Sequence, residues 1–135
     1  MRNAEETLEE LDLLLAELQE LAQECDILVE GRKDRNALTL LGVRGEFLQV
    51  QDAGGIFGVA EGLSHRNRGA IILTDWDRKG GQLAEMLRNA LKACEVPYDD
   101  TIRTRLSRLS KKEIKDIESL PSYISFLVAQ KGEGR

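Results

Sequence analysis

Apolar residues recur every three or four positions along residues 4–24, a spacing that predicts an amphipathic helix with one apolar stripe and an acidic opposite face. The stripe consists of Leu8, Leu11, Leu15, Leu18 and Ala22, and it is widened by Leu13, Leu14 and Leu21. We expect the stripe to pack against the rest of its own domain. The same spacing fits a short coiled coil, so a homodimer or a protein partner bound through this helix stays open.

Beyond this helix, short apolar runs alternate with stretches of helical periodicity. The runs predict strands at 27–30, 47–50 and 70–74, and an edge strand at 101–106 in which arginines alternate with other residues. The periodic stretches predict helices over 33–41, from the glycine pair 54–55 to about 63, from the pair 80–81 to about 91, and over 122–129. Another helix is predicted to be capped by Ser110, with Glu113 completing a capping box, and to be broken by Pro121.

This alternation predicts an α/β protein with a Rossmann-like sheet of about four mainly parallel strands and helices on both faces. The chain divides into an acidic amphipathic helix at 1–25, one domain at 26–130 and a polar tail at 131–135 that we expect to be disordered. We identify no internal repeat and no second domain.

The charge is unevenly distributed along the 135 residues. The net charge is −5, but residues 1–26 carry nine acids and one base, whereas the remainder carries 15 acids and 18 bases. The acidic total argues against nonspecific coating of DNA, while a mildly basic domain allows local contacts with a polyanion.

Features of the chain as a whole indicate a cytoplasmic protein that does not associate with membranes. Its N-terminus is acidic, unlike a signal or transit peptide, and no apolar run approaches the roughly 20 residues of a membrane span. Cys25 and Cys94 have no zinc-ligand spacing, so we expect buried, reduced thiols.

Three acids are predicted to lie at strand ends. Glu30 ends the first strand, and Asp75 and Asp77 follow the third. Adjacent parallel strands would bring these carboxylates together at the carboxyl edge of the sheet, where such folds bind ligands. Clustered carboxylates repel one another unless a cation neutralises them, and oxygen ligands suit Mg²⁺ or Mn²⁺. The sequence therefore predicts a metal site formed by these three side chains.

Glycines and basic residues at the same turns predict a phosphate-binding surface around this site. Glycine lets a backbone approach a phosphate closely or opens a helix N-terminus towards one, and the neighbouring cations can hold backbone oxygens. The candidates are Gly31, Arg32, Lys33, Gly54, Gly55, Arg78, Lys79 and Gly80.

Two of these segments, ILVEGRKDRNAL at 27–38 and IILTDWDRKGG at 71–81, resemble the signature motifs of the Toprim domain. Topoisomerases, bacterial-type primases and several nucleases share that domain, and the resemblance covers residues 26–108. It implies a Toprim fold, a general acid or base at Glu30 and metal binding by Asp75 and Asp77. Gly81 stands where topoisomerases usually carry a further acid, so the motif is closer to that of primases, and the whole chain resembles small stand-alone Toprim proteins.

The expected function is therefore Mg²⁺-dependent, nuclease-like phosphoryl transfer on DNA or RNA, with Glu30 as the catalytic acid or base. Strand passage and primer synthesis need further domains, and the two tyrosines, Tyr98 and Tyr123, fit packing roles better than a nucleophilic one. The alternative is a nucleic-acid-binding or adaptor module that retains the metal site without turnover. A phosphoacceptor receiver domain ranks lower, because receivers carry their acid pair near the first strand.

Overall fold

The computed structural model describes residues 3–133, and within that range strands alternate with helices from the first helix to the fifth. The strands are β1 (Cys25–Val29), β2 (Phe47–Gln49), β3 (Gly69–Ile72) and β4 (Tyr98–Asp99). The helices are α1 (Ala4–Leu21), α2 (Arg32–Leu40), α3 (Gly55–His65), α4 (Arg78–Ala93), α5 (Thr101–Ser110) and α6 (Leu120–Glu133), with a 3₁₀ turn at Val50–Asp52.

The four strands form one parallel sheet in the order β2-β1-β3-β4. Ile27 of β1 lies level with Phe47 of β2 and Ile71 of β3, so β1 and β3 occupy the centre. Residues 27–29 of β1 and all of β3 are apolar, as expected where both faces of a sheet are covered. The chain moves to one side of β1 to form β2 and to the other side to form β3, so the topological switch point lies between β1 and β3.

Alternate residues of the central strands point into two separate hydrophobic cores. Ile27 and Val29 point into a core shared with α1, α2, α5 and α6, whereas Leu28 points into a core shared with α3 and α4. The structure therefore confirms the predicted α/β class, with helices on both faces of a four-stranded parallel sheet.

Helix α1 belongs to the first core rather than to a separate segment. Leu11, Leu14 and Leu18 are at most 1% exposed and lie in that core with residues of α5 and α6, whereas Leu13 is 60% exposed. Most of the predicted stripe is thus covered within the chain. A partner that binds the outer, acidic face of α1 stays a prediction.

The predicted edge strand at 101–106 is wrong, because this segment is helix α5 and the fourth strand is the short β4 before it. The Asp99 carboxylate accepts hydrogen bonds from the Thr101 hydroxyl and the Ile102 backbone N–H, which stabilises the first turn. Ile102 and Leu106 lie four residues apart and are both buried in the core. A helix therefore buries both apolar side chains on one face, whereas a strand over the same residues would not.

The predicted helix after Ser110 is also absent. Ser110 is the last residue of α5, and its hydroxyl donates to the Leu106 carbonyl instead of capping a new helix. Residues 111–119 form turns and bends. Pro121 lies in the first turn of α6, where a missing N–H is tolerated, so it begins a helix rather than breaking one.

The final helix is longer than predicted. Helix α6 includes residues 131–133, so the predicted disordered tail is wrong for them, while residues 134–135 lie outside the described range. Tyr123 and Leu127 are buried and pack α6 in the core, and Lys131 pairs with Glu5 of α1 at 3.9 Å.

Cys25 and Cys94 are free thiols, each partly exposed. Among the helices of residues 3–133, none combines the length and apolar character needed to cross a bilayer.

Asp26 forms a buried ion-pair network at the amino edge of the sheet, away from the strand-end acids. Its carboxylate is 2% exposed and accepts hydrogen bonds from Arg66 at 2.6 Å and Arg68 at 2.9 Å. We expect Asp26→Asn to lower the free energy of unfolding by about 2–4 kcal/mol, because it leaves the partly buried Arg68 without its counter-charge. Urea denaturation measures this. Asp12→Asn, on the exposed face of α1, is the control and should change stability by less than about 0.5 kcal/mol; equal effects of both substitutions would contradict a structural role for the network.

Candidate functional site

Glu30 and Asp75 meet at the carboxyl edge of the two central strands. Glu30 directly follows β1, and Asp75 follows β3 after Leu73 and Thr74. The backbone N–H of Asp75 donates to Oε2 of Glu30 at 2.8 Å. Two acids that are 45 residues apart in sequence are therefore neighbours at the topological switch point.

These two acids line an open cleft of about 310 Å³. Of the predicted residues, the structure brings into its lining Glu30, Gly31, Arg32, Lys33 and Asp75. Three further lining residues were not predicted: Asp34, Gln51 and Glu118. The position of Asp34 could have been predicted from the sequence. It follows Glu30 by four residues and lies in the first turn of α2, which places its carboxylate near that of Glu30. Gln51 and Glu118 come from distant turns, and no pattern in the sequence indicates that they line the cleft.

Asp77 does not line this cleft. It is exposed and caps helix α4, where its Oδ1 accepts the Gly80 N–H at 2.7 Å. Within residues 3–133, no three His, Cys, Asp or Glu side chains are arranged to hold a metal ion. The predicted trio of Glu30, Asp75 and Asp77 is thus assembled only in part, and metal binding by Asp77 stays a prediction.

The remaining predicted phosphate ligands also lie outside the lining of the cleft. Arg78 and Lys79 are exposed in the first turn of α4. Gly54, the N-cap of α3, and Gly55, its first residue, have positive φ angles of 77° and 87°, which favour glycine at both positions. Gly80 is buried, and its N–H is already bonded to Asp77.

Gly80 is required for close packing of two backbone segments. A Cβ atom built on it would lie 2.0 Å from the carbonyl oxygen of Asp75. The Thr74 hydroxyl donates to the Gly80 carbonyl at 2.8 Å and ties the end of β3 to the start of α4. The glycine therefore allows the start of α4 to lie close to the backbone of Asp75, and phosphate binding by Gly80 stays a prediction.

Arg103 of α5 holds the same stretch of backbone from the other side. Its Nε donates to the Thr74 carbonyl at 3.0 Å and its Nη2 to the Asp75 carbonyl at 2.7 Å. Burial lowers the pKa of this guanidinium. The prediction of a strand at 101–106 placed Arg103 on an exposed edge, and only the helix brings it to the site.

Burial and neighbouring charges raise the pKa of two carboxyl groups of the cleft, Asp34 and Asp75. Burial raises the pKa of Asp34, although Oδ2 of Asp34 accepts the Gly31 N–H at 3.2 Å. Burial, together with the neighbouring charges of Asp34 and Glu30, raises the pKa of Asp75 to about 7, against a lowering effect of the Ile117 N–H that Asp75 accepts at 3.0 Å. The lining of the cleft carries four carboxyl groups, those of Glu30, Asp34, Asp75 and Glu118, and two cations, Arg32 and Lys33.

A larger cavity of about 500 Å³ lies between α1 and the start of α5. Its acidic side chains include Glu17, which is hydrogen-bonded to Arg105, and Glu20. It contains none of the predicted site residues and lies away from the switch point. We therefore take the smaller cleft as the candidate site because it contains the strand-end acids, although the other cavity is larger.

Comparison with known proteins places the chain among archaeal relatives, although no family model matches it. The UPF0292 protein of Methanosarcina barkeri is 36% identical over 126 residues, which are 93% of this chain and 87% of that protein. The chain belongs to the UPF0292 family. The UPF0292 protein of Methanocaldococcus jannaschii is 33% identical over 122 residues, 90% of this chain and 94% of that one.

A solved structure of an Aquifex aeolicus protein shares the fold of this UPF0292 member. The TM-score is 0.68 at 23% identity, and the match covers 82% of this chain and 97% of that chain. This likeness supports the α/β fold alone. The resemblance to Toprim proteins stays a prediction from the sequence motifs.

The raised pKa of Asp75 predicts how the stability of this UPF0292 member depends on pH. Because the pKa rises on folding from 3.8 to about 7, Asp75 stabilises the fold below the lower value and loses that contribution as the pH rises through the higher one. In metal-free buffer above that range, Asp75→Asn should raise the free energy of unfolding by about 1–3 kcal/mol after allowance for solvent screening.

Urea denaturation over this pH range measures the effect, and Asp77→Asn is the matched control. Asparagine caps a helix as well as aspartate does, so Asp77→Asn should leave the stability and its pH dependence nearly unchanged. If Asp75→Asn destabilises the protein in the absence of metal, the carboxylate repulsion described here is not present.

Proposed function

We propose that this protein is a Mg²⁺- or Mn²⁺-dependent Toprim protein that acts on nucleic-acid phosphodiesters by nuclease-like phosphoryl transfer. The observation that carries the proposal is the meeting of Glu30 and Asp75 in one open cleft, from adjacent central strands. This is the point at which parallel α/β sheets bind their ligands, and the two acids belong to the two Toprim-like motifs.

The cleft offers carboxylate oxygens, the ligand type that a hard divalent cation prefers, although within residues 3–133 they are not grouped as a ready-made metal site. The bonds described above use Oε2 of Glu30 and Oδ1 of Asp75, so each carboxylate has a second oxygen for an ion. Asp34 adds a third carboxylate to the same lining. Burial first, and then the charges of Asp34 and Glu30, raise the pKa of Asp75, and a cation beside it would favour its charged form. A bound Mg²⁺ would supply polarisation of a phosphate and activation of a water molecule.

The side chains around the cleft suit the remaining tasks of hydrolysis. Glu30 lines the cleft, where it can take a proton from the attacking water or give one to the leaving oxygen. Arg32 and Lys33 are exposed in the first turn of α2 and line the same cleft. Cations at a helix N-terminus hold phosphate oxygens well, so these two residues would fix the backbone of the nucleic acid.

The capping role of Asp77 favours a second candidate function. If Asp77 stays on the N-terminus of α4, the cleft keeps its ion-binding carboxylates but lacks one of the two aspartates that the motif provides. The protein would then be a nucleic-acid-binding or adaptor module that retains the metal site without turnover. In either case we propose a cytoplasmic location, which the free thiols Cys25 and Cys94 support.

A cleavage assay separates the two candidates. Purified protein is incubated with end-labelled single- and double-stranded DNA and RNA in Mg²⁺, Mn²⁺ or EDTA, and binding is measured on the same substrates. Cleavage in either metal and none in EDTA is the expected result. Binding without cleavage would favour the adaptor module, and neither binding nor cleavage would contradict both proposals.

A further inference from the structure

Cations are concentrated in one stretch of the chain that lies outside the lining of the cleft. Residues 101–115 contain six arginines and lysines and a single acid, Glu113, in a protein whose net charge is −5. Arg103 is engaged at the end of β3, and Arg105 pairs with Glu17. The other four are exposed, and within residues 3–133 none of them belongs to an ion pair. We name these four residues the basic edge: Arg108, Lys111, Lys112 and Lys115.

The backbone of the basic edge is held firmly beside the site. The N–H of Ile114 donates to the Ser110 carbonyl at 2.9 Å, which continues from the end of α5. The N–H of Trp76 donates to the Lys115 carbonyl at 2.9 Å, and its indole Nε1–H donates to the Ile114 carbonyl at 2.9 Å. Lys115 is thus one hydrogen bond from the neighbour of Asp75, which lines the cleft. A backbone that is already fixed loses little conformational entropy when the surface binds a ligand.

The C-terminus of α5 explains only part of this positive charge. The negative end of the helix dipole favours cations at Arg108 and Lys111. Lys112 and Lys115, however, lie beyond the end of the helix, which Lys111 caps. Like charges that are three residues apart on a helix or turn repel one another. The arrangement therefore suits a negatively charged ligand better than it suits the stability of the fold.

Further cations extend from the basic edge to the cleft, which indicates an extended ligand. Arg78 and Lys79 are exposed and follow Trp76 by two and three residues. Arg32 and Lys33 line the cleft itself. A small anion would need a single cluster of cations, whereas each strand of a nucleic-acid duplex carries a charge about every 3.4 Å along its axis. A row of cations matches that repeating charge.

We propose that the basic edge binds the phosphate backbone of a nucleic acid and directs it towards the cleft. The choice of polyanion rests on the proposed function, whereas the surface itself requires no metal ion. Contacts between lysine and phosphate carry no sequence information, so this binding is independent of base sequence and falls steeply with salt.

Binding to two labelled duplexes of unrelated sequence, measured in EDTA over a range of salt concentrations, tests this surface. Lys112→Gln combined with Lys115→Gln removes the two charges that lie beyond the end of α5. The double variant should bind both duplexes roughly 10-fold or more weakly at low salt. It should also reduce the slope of log affinity against log salt by about 2, because each phosphate contact contributes about 0.9.

Arg44→Gln combined with Lys92→Gln is the matched control. It removes the same charge, but from exposed residues at the opposite, amino edge of the sheet, where Arg44 precedes β2 and Lys92 lies in the last turn of α4. Affinity and salt slope should stay close to those of the wild type. Lys112→Arg combined with Lys115→Arg keeps both charges and should retain binding, and urea midpoints check that all variants are folded.

The outcomes separate this proposal from the proposed function. If the wild type cleaves or binds nucleic acid and the Lys112→Gln, Lys115→Gln protein binds like the control, the basic edge is wrong and the proposed function stands. If no substrate is cleaved but affinity and slope fall as expected, the basic edge stands and the nuclease proposal fails. If sedimentation shows a dimer that the same substitutions dissociate while nucleic-acid binding is unchanged, the surface docks a second copy and our proposal is overturned.

Discussion

Glu30→Gln is expected to lower the rate of metal-dependent cleavage by about 10²- to 10⁴-fold, because glutamine can neither take up nor release the proton that hydrolysis requires. The substitution preserves the size of the side chain. The amide oxygen of glutamine can still accept the Asp75 N–H, which now donates to Glu30 at 2.8 Å. The loss of rate should therefore occur in a folded protein.

Single-turnover kinetics on the best-cleaved substrate measures this loss, and the urea midpoint of the same preparation checks the fold. Glu61→Gln is the control, since Glu61 is exposed on α3 and lies outside the lining of the cleft. It should cleave at the wild-type rate. Undiminished cleavage by Glu30→Gln would show that the chemistry takes place elsewhere on the protein.

Gly80→Ala is expected to have the largest effect on stability, a loss of about 4 kcal/mol or more, which is enough to prevent folding. The added Cβ would lie 2.0 Å from the carbonyl oxygen and 2.5 Å from the carbonyl carbon of Asp75. This carbonyl cannot easily retreat, because Arg103 holds it through a hydrogen bond of 2.7 Å. The clash is therefore between two backbone segments, and side-chain rotation cannot relieve it.

The neighbouring glycine provides a control in the same helical turn. A Cβ on Gly81 would lie no closer than 3.9 Å to its nearest neighbour, the Nη2 of Arg103. Gly81→Ala should therefore be neutral or stabilising by up to about 1 kcal/mol through helix propensity. Soluble expression and urea denaturation compare the two variants. Equal stability of the two would mean that α4 does not approach the end of β3 as closely as described.

Gly80 also illustrates the limit of a motif read from sequence. The glycine pair at 80–81 indicated a helix start directed towards a phosphate, yet α4 begins earlier, at Arg78, with Asp77 as its cap. One glycine of the pair is needed for packing and the other is not. The sequence pattern does not distinguish the two, because the requirement arises from a contact with the end of another strand.

The central architecture was predictable because it depends on local patterns. The apolar runs of β1 and β3 mark buried parallel strands, and an acid directly after such a run lies at the carboxyl edge wherever the strand is placed. The convergence of Glu30 and Asp75 follows from these two facts and from the adjacency of the strands. The packing of α1 followed likewise from the period of its leucines.

The errors lie in segments where two periods compete or where the partner is distant in sequence. In residues 101–106, helix and strand differ only in which apolar residues become buried, and the surface offered by α1 decides for the helix. Residues 111–119, which include Glu118, are held beside the cleft by hydrogen bonds to Asp75 and Trp76. The capping role of Asp77 likewise follows from where α4 begins.

The sequence by itself thus determined the class of fold, the central strands and the pair of acids at their ends, because hydrophobic periodicity and strand-end position are properties of a few consecutive residues. Only the tertiary structure decided which further groups surround that pair. Glu118 reaches the lining from a turn far along the chain, and Arg103 reaches the site through hydrogen bonds to the carbonyls of Thr74 and Asp75. No local pattern specifies such contacts.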